Sequence, residues 1–248
     1  MHWLSILALA GSAAAGSCPR AFLESLTSQY LAAQTAGDPA LFPSLAPNGT
    51  FIENDVKLAR SLCDPHAPGR QHATWHVAAV DSVVTRPGDW AFNATGYLYW
   101  DSHENWAVGP YEKVATDRAA LQAAADEYFD RFDNTSVVIP LGTPCARLKG
   151  GAYTGRGNLT ADACDIGGFP NNIKVTNQKY IVDEAAGVVD IFEGFPGLDR
   201  SEPTRPVPDS HLFRIINGTI RYIHTVSHCF NTGCGMNGTL FGKRSAKW

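Results

Sequence analysis

Basic residues are not in excess in this sequence, and charge of either sign is sparse. Charged residues make up 18% of the 248 residues, and the net charge at pH 7 is −4. Proteins that bind nucleic acid or an anionic membrane surface usually present clustered Lys and Arg. After residues 1–17 there is also no apolar run long enough to cross a bilayer. We therefore expect that this protein neither binds nucleic acid nor has a membrane anchor.

Several motifs of familiar chemistries are also missing. The sequence has no G-x-S-x-G nucleophile motif, and its Gly-rich residues 149–157 lack the GK[ST] ending of a phosphate-binding loop. The spacing of Cys229 and Cys234 has no second Cys or His pair that would complete a zinc site. The sequence therefore predicts no metal site and no cofactor.

The amino terminus and two kinds of residue indicate export. Residues 1–17 form an apolar run followed by small residues, which is typical of a secretory signal peptide. The rest of the chain keeps an even number of cysteines and contains six glycosylation sequons, at Asn48, Asn93, Asn134, Asn158, Asn217 and Asn237. We expect a glycosylated, disulfide-bonded protein that is secreted or held in the lumen of the secretory pathway.

Six cysteines allow fifteen pairings, so the disulfide map stays open at this stage. The pairs close in sequence are Cys145 with Cys164 and Cys229 with Cys234. Those two pairs would leave Cys18 for Cys63.

The order of predicted elements is helix, loop and strands, followed by a second helix, loop and strands. One helix is expected over residues 20–36 and another from Thr116, the second with an apolar stripe of Leu121, Ala124, Ala125, Tyr128, Phe129 and Phe132. The expected strands are 74–84, 90–100, 174–183 and 188–195. We expect loops before residue 74 and over residues 145–170.

This grouping predicts an α+β fold, in which a curved antiparallel sheet wraps on helices. A degenerate duplication of the chain into two halves is left open, since no residue-level repeat supports it. The expected organisation is a signal peptide at 1–17, an amino-terminal α+β half at 18–110, a second domain at 111–230 and an irregular tail at 231–248.

The most informative stretch is residues 208–226. Asn217-Gly218 between two apolar-rich runs is a strong signal for a β-hairpin with a two-residue turn. With uninterrupted pairing from Ile216 and Thr219, one face of the hairpin carries His211, Phe213, Ile215, Ile220, Tyr222 and His224. Two imidazoles and a phenol among apolar neighbours are typical of a reactive pocket.

These side chains suit acid–base chemistry that needs no cofactor. Histidine titrates near working pH, so His224 is the candidate base and His211 its partner or the acid. Tyr222 is the candidate donor to a developing oxyanion. Arg214 and Tyr128 are the candidate substrate-binding residues.

Three alternatives are left open. The two histidines can form a purely structural pair. The other face can line the pocket instead, where Arg214 and Arg221 would bind a carboxylate or anhydride. A cross-strand histidine pair can also hold a metal with a third ligand from Asp209 or His228, although no H-x-H or H-x-x-x-H spacing supports it.

Four segments carry a resemblance to a known group: EYFDRF, PCARLKGGAY, NQKYIVDEAAGVVDIFEGF and PDSHLFRIINGTIRYIHT. Together with WHV and GDWAFNA in the first half, they resemble secreted fungal proteins of the SnoaL-like group. That group belongs to the ketosteroid-isomerase and nuclear-transport-factor-like superfamily. The resemblance implies a cone-shaped fold that encloses a pocket, with residues 111–230 as the SnoaL-like domain.

The resemblance also implies an isomerase, dehydratase or cyclase acting on a small apolar or carboxylated metabolite. Its implied setting is fungal natural-product biosynthesis, where similar proteins join maleic-anhydride units. The rival interpretation is a secreted non-catalytic protein that binds a small molecule or a surface. The expected partner is a small-molecule substrate, and a homo-oligomer is left open.

Overall fold

The structure, a computed structural model, describes residues 4–10, 20–57, 77–107, 117–154, 164 and 169–234. The chain divides into two compact units, Ser5–Ser82 and Val83–Trp248, the second also including Met1–Leu4. The architecture is mixed α+β, as the sequence predicts. None of the helices in the described ranges combines the length and apolar character needed to cross a membrane.

The unit Ser5–Ser82 packs one helix against a small sheet. Helix α1 is Arg20–Ala36, and a short 3₁₀ helix follows at Pro39–Leu41. The sheet has the strand order β1-β4-β2-β3, with β1 at Leu4–Ala10, β2 at Leu45–Glu53, β3 at Val56–Lys57 and β4 at Val77–Thr85. Its core consists of Leu26, Tyr30, Ala33, Phe42, Val77 and Val80.

Helix α1 confirms the sequence prediction at both ends. The chain leaves the helix at Gly37, whose φ of 65° is strained for any side chain larger than hydrogen. The two strands β2 and β3 were not expected, because the region before residue 74 reads as a loop. They form because β2 pairs in parallel with β4, a partner that local sequence does not reveal.

The unit Val83–Trp248 is built on a six-stranded sheet with the order β6-β5-β10-β9-β8-β7. The strands are β5 at Leu141–Lys149, β6 at Ala152–Tyr153, β7 at Thr176–Asp183, β8 at Val188–Phe195, β9 at Val207–Ile216 and β10 at Thr219–Ser227. Helix α2 is Ala94–Asp101 and helix α3 is Arg118–Asp133. The sheet is antiparallel except where β5 runs parallel to β10.

Helix α3 supplies most of the core of this unit. All six residues of the expected apolar stripe are buried, and they pack on Val189, Ile191, Phe213, Ile215 and Ile223 of the sheet. The helix begins at Arg118, because the side chain of Asp117 caps it by accepting a hydrogen bond from the Ala119 amide at 2.9 Å.

The expected strand over residues 90–100 is wrong, because most of this segment forms helix α2. The Asn93 side chain caps the helix by accepting from the Gly96 amide at 2.9 Å. Ala94 and Tyr97 are buried, whereas Leu98 and Tyr99 are more than half exposed. A helical spacing therefore suits the burial of this aromatic segment better than strand alternation does.

The expected loop over residues 145–170 is also wrong at its start, where β5 and β6 lie. Strand β5 takes the edge of β10 as a parallel neighbour, and that pairing partner comes from a distant part of the chain. Gly150 and Gly151 form the tight turn between β5 and β6, with φ values of 55° and 118°. Both conformations are disfavoured for residues with a side chain.

Two of the expected disulfides are confirmed. Cys145 bonds to Cys164, and Cys229 bonds to Cys234. Such bonds are typical of proteins that fold in an oxidising compartment. Cys18 and Cys63 lie outside the described residues, as do most of residues 1–17, the expected signal peptide, and residues 235–248 of the expected tail.

Candidate functional site

The hairpin predicted over residues 208–226 is present as β9 and β10. Its turn is Asn217-Gly218, both residues have positive φ, and Ile216 pairs with Thr219. The turn and the first pair therefore confirm the prediction. Asn217, like the sequon residues Asn93 and Asn134, is exposed, so a glycan can reach all three.

The register of the hairpin departs from the expectation after Ile220. The register shifts at Arg221, between Ile220 and Tyr222, so Tyr222 pairs with Arg214 rather than with Phe213. One extra residue in a strand moves every later side chain to the opposite face.

The expected shared face of His211, His224 and Tyr222 is therefore wrong. His224 pairs with Leu212, whereas His211 pairs with Thr225. His224 and Tyr222 consequently point to the side of the sheet opposite His211. Arg214 and Arg221 are not cross-strand partners either.

We call the side covered by α3 the α3 face. The register places its residues in rows across neighbouring strands: Val189, Phe213, Ile223 and Arg147; Ile191, His211, Thr225 and Lys149; and Glu193, Asp209 and Ser227. The first row is apolar up to Arg147, and the other two carry most of the polar groups. Four strands thus bring a buried set of charged side chains under α3.

His211 lies at the centre of this set. Its Nδ1 is 2.6 Å from Oε1 of Glu193 and 3.6 Å from Oδ2 of Asp209. Its Nε2 has no hydrogen-bond partner within the described part of the chain, although the residue is only 1% exposed. The rings of Tyr128, Phe129 and Phe213 lie 5.0–5.9 Å from the imidazole.

Burial controls the protonation of these groups. Burial, followed by the charges of Lys149 and Arg147, lowers the pKa of His211 well below its usual value. Burial also raises the pKa of Glu193, and that of Asp209 to about 8. Two buried carboxyl groups so close together retain a proton near neutral pH.

Which atom carries the proton in the contact between Nδ1 of His211 and Glu193 depends on the tautomer of the imidazole. When Glu193 is ionised, the Nδ1–H of His211 donates to it and the Nε2 lone pair is available as a base. Asp209 is itself held by the Ser227 hydroxyl, which donates to its Oδ1 at 2.9 Å. The arrangement therefore orients a neutral imidazole for proton transfer.

Two cations from β5 and one phenol complete the α3 face. Arg147 donates from Nη2 to the Tyr128 hydroxyl at 2.5 Å, and its guanidinium lies 5.4 Å from the Tyr128 ring centre. Burial raises the pKa of Tyr128 to about 12. The Tyr128 oxygen accepts from Arg147, and a phenol that accepts one hydrogen bond still carries its own O–H donor.

We call the opposite side the α2 face, since α2 and the adjoining residues 102–107 cover it. His224 is fastened here at both nitrogens: Nε2 lies 2.6 Å from Oε2 of Glu104, and Nδ1 lies 3.3 Å from the Tyr97 hydroxyl. Asp101, about half exposed, lies 3.7 Å from Nδ1. An imidazole with both nitrogens engaged is typical of a structural contact.

Tyr222 and Arg214 also hold residues 102–107 against the sheet. The Tyr222 hydroxyl accepts from the Asn105 amide at 3.2 Å. Arg214 donates from Nη2 to the Trp106 carbonyl at 3.2 Å. The structure thus separates the sequence candidates, with His211 and Tyr128 on the α3 face and Tyr222, His224 and Arg214 on the α2 face.

Both faces contain a histidine with two carboxylates. In each of the groups Asp101–Glu104–His224 and Glu193–Asp209–His211, one ligand atom per residue lies within 4.8 Å of the others. A divalent ion could bind such a set. On the α3 face the charges of Lys149 and Arg147 oppose a further cation.

Sequence reasoning missed Arg147, Lys149 and the central position of Glu193. Arg147 and Lys149 have the two-residue spacing of one strand face, as do Asp209 and His211. That spacing would have revealed the cations if β5 had been recognised as a strand. Glu193 follows an apolar run in β8, and a single carboxylate in a buried strand can indicate a functional residue.

Comparison with known protein families gives a match over the larger sheet. Residues 114–227 match the model of a family described as a domain of unknown function, DUF8021. No curated protein matches the chain. The matched range contains α3 and all six strands of the larger sheet, whereas α2 and Glu104 lie outside it. The chain is thus similar to this family over the part that carries the entire α3 face.

Proposed function

We propose that the protein is an enzyme that catalyses isomerisation, dehydration or cyclisation of a small apolar or carboxylated metabolite by acid–base chemistry without a cofactor. The observation that carries the proposal is His211, whose Nδ1 is held by Glu193 at 2.6 Å. Its Nε2 is buried and has no hydrogen-bond partner among the described residues. A neutral imidazole in this state can remove a proton next to a carbonyl group and return it elsewhere.

The other residues of the α3 face have complementary roles in this proposal. Glu193 positions the imidazole and fixes the tautomer that keeps Nε2 unprotonated. Tyr128, polarised by Arg147, donates to the oxyanion that develops when the proton leaves carbon. Its ring centre is 5.5 Å from that of His211, close enough for both groups to contact one small molecule. His224, Tyr222 and Arg214 have no part in this chemistry, because they lie on the α2 face.

The proposal extends to fold and setting through the resemblance to SnoaL-like proteins. A long helix packed on a mostly antiparallel sheet is compatible with a cone-shaped ketosteroid-isomerase-like fold. We propose that the protein is exported and acts in fungal natural-product biosynthesis, including the joining of maleic-anhydride units. The two disulfides support an oxidising compartment.

The second candidate function is non-catalytic binding of a small molecule or a surface by a secreted protein. The observation that favours it is the depth of the α3 face. His211 and Asp209 are each 1% exposed and Glu193 is 4% exposed, so the centre is closed to solvent. A catalyst with this site must open to admit its substrate, whereas a stable core need not.

Proton exchange at carbon distinguishes the two functions without knowledge of the natural substrate. The purified protein is incubated in D₂O with cyclohex-3-en-1-one, itaconate and citraconate, and deuterium incorporation is followed by ¹H NMR. We expect catalysed exchange of at least one compound. His211→Asn should slow it by about 10²- to 10⁴-fold, because a general base is lost. His103→Asn, which changes an exposed histidine, should leave the rate unchanged.

Equal rates in the wild type and His211→Asn would refute His211 as the base. Deleting the gene in the organism that carries it and profiling its metabolites provides the second readout. Accumulation of one precursor would identify the substrate. No exchange of any compound, together with an unchanged metabolite profile, would favour the binding protein.

A further inference from the structure

Arg147 is a buried cation that has no acidic partner among the described residues. It is 1% exposed, and the single hydrogen bond found for its guanidinium in the described ranges goes to the neutral Tyr128 hydroxyl. Its Nε and Nη1 have no hydrogen-bond partner in that part of the chain. Buried polar groups are normally satisfied, and an unpaired buried charge is costly, so these N–H groups need an explanation.

Two aromatic rings lie beside the guanidinium of Arg147. Its guanidinium carbon lies 5.4 Å from the ring centres of both Tyr128 and Phe169. Aromatic rings can flank a guanidinium while leaving its N–H edge available for planar ligands. Phe169 is itself only partly buried.

The hydrogen bonds found for the carboxylates of the α3 face go to residues other than Arg147. Glu193 holds His211, and Asp209 accepts from Ser227. Lys149 interacts electrostatically with both carboxylates. Arg147 therefore remains as the cation whose hydrogen-bonding capacity the described residues leave largely unused.

We propose that the α3 face recognises a carboxylate group of its ligand through the unused N–H groups of Arg147. This inference rests on the proposed function, since it specifies the substrate class of the same site. Tyr128 joins the two parts, because its hydroxyl contacts Arg147 and its ring lies beside His211. A carboxylate on Arg147 would thus hold the rest of a small molecule against the free Nε2 of His211.

A carboxylate suits the charge of this site better than a phosphate does. Glu193 lies on the same face of the sheet, and when ionised it would repel a dianion more strongly than a monoanion. Arginine also matches the planar geometry of a carboxylate with parallel N–H groups. Inorganic phosphate is therefore the competing anion to test.

The wild-type protein tests the inference through matched pairs of acids and amides. Isothermal titration calorimetry at pH 7 is used to compare butanoate with butanamide, hexanoate with hexanamide, and cinnamate with cinnamamide, and inorganic phosphate is titrated separately. We expect at least one acid to bind about 10- to 100-fold more tightly than its amide, because it gains charge-assisted hydrogen bonds. Phosphate should bind more weakly than that acid. The inference is overturned if no acid exceeds its amide or if phosphate binds most tightly.

Two arginine substitutions identify the residue responsible. Arg147→Gln should abolish the preference for the acid, and Arg147→Lys should retain part of it. Arg214→Gln is the matched control, because Arg214 is equally buried but lies on the α2 face. Circular dichroism melts establish that each variant folds. If Arg147→Gln does not fold, the wild-type comparison decides alone, and a preserved acid preference in a folded Arg147→Gln protein refutes the role of Arg147.

The outcomes separate this inference from the proposed function. Acid binding that depends on Arg147, without proton exchange and with an unchanged metabolite profile, would support the carboxylate site and refute catalysis. Exchange of cyclohex-3-en-1-one that depends on His211, without any acid preference, would support catalysis and refute the carboxylate site.

Discussion

Burial gives the side chains of the α3 face properties that the same groups lack in water. His211 is enclosed by aromatic rings and faces two cations, while its Nδ1 is held by Glu193. The sequence revealed His211 as a polar residue in an apolar strand, and Asp209 as its neighbour two positions away. It did not identify the partner of the imidazole, because that depends on which residues of three neighbouring strands share a row.

We expect His211 to stay neutral at pH 6.5 and to gain a proton only at lower pH. Protonation would add a positive charge to a buried site beside Lys149 and Arg147. Long-range ¹H–¹⁵N NMR spectra recorded between pH 4 and 8 report the charge and the tautomer, and we expect the proton on Nδ1. The urea-unfolded protein is the reference, in which the imidazole should have a pKa of about 6.5.

The same shift affects stability in a defined direction. Below pH of about 6.5 the unfolded chain binds a proton at His211 that the folded protein does not, so the free energy of unfolding contributed by this group falls as pH decreases. His211→Asn should lack this contribution. Protonation of His211 above pH 7 in the folded protein would contradict its role as a base.

Elements whose formation depends on local pattern were predictable, and those that depend on distant partners were not. Helices α1 and α3 have apolar stripes with helical spacing, and the Asn217-Gly218 turn has its own sequence signature. Strand β5 was missed because its neighbour β10 is far along the chain. Helix α2 was misread because Trp, Phe and Tyr favour strands, whereas the cap at Asn93 and burial of Tyr97 favour the helix.

The turn between β5 and β6 fixes the start of α2, and a glycine substitution tests this. The Asn93 amide donates to the Gly150 carbonyl at 2.5 Å, and a Cβ at Gly151 would collide with the carbonyl oxygen of Asn93. Gly151→Ala should therefore lower the free energy of unfolding by roughly 3 kcal/mol, through steric overlap as well as positive φ. Urea denaturation provides the measurement.

Gly218→Ala is the control for that experiment. Gly218 also has positive φ, but a Cβ there meets nothing within 4 Å. Gly218→Ala should therefore lower the free energy of unfolding by about 1 kcal/mol, through the unfavourable backbone conformation alone. Equal losses in the two variants would show that α2 does not depend on close approach at Gly151.

At the scale of the whole molecule, covalent links could be inferred from sequence proximity, but the topology could not. The pairs Cys145–Cys164 and Cys229–Cys234 follow from short separations. The mixed sheet, with one parallel pair among antiparallel neighbours, depends on contacts that the order of elements does not specify. The division at Ser82 likewise falls within β4, where the sequence shows no linker.

The two disulfides should contribute unequally to stability. Their sequence separations are 19 and 5 residues, and a longer closed loop removes more entropy from the unfolded chain. Replacing Cys145 and Cys164 by alanine should lower the free energy of unfolding by about 3 kcal/mol, compared with about 2 kcal/mol for Cys229 and Cys234. Guanidinium denaturation under non-reducing conditions measures both double variants. A larger loss for the Cys229–Cys234 pair would contradict the loop-length argument.

The irregularity at Arg221 reverses the alternation of side chains between the two faces of the hairpin. Removing that single residue would restore strict alternation and would redirect Tyr222 and His224 toward α3, at the expense of the contacts that hold residues 102–107. Insertion or deletion of one residue at this point would thus change which face of the sheet carries Tyr222 and His224, while the type of every other residue stays the same. When homologous chains differ in length here, their residues should therefore be compared by the face of the sheet on which they lie, and not by their column in a sequence alignment.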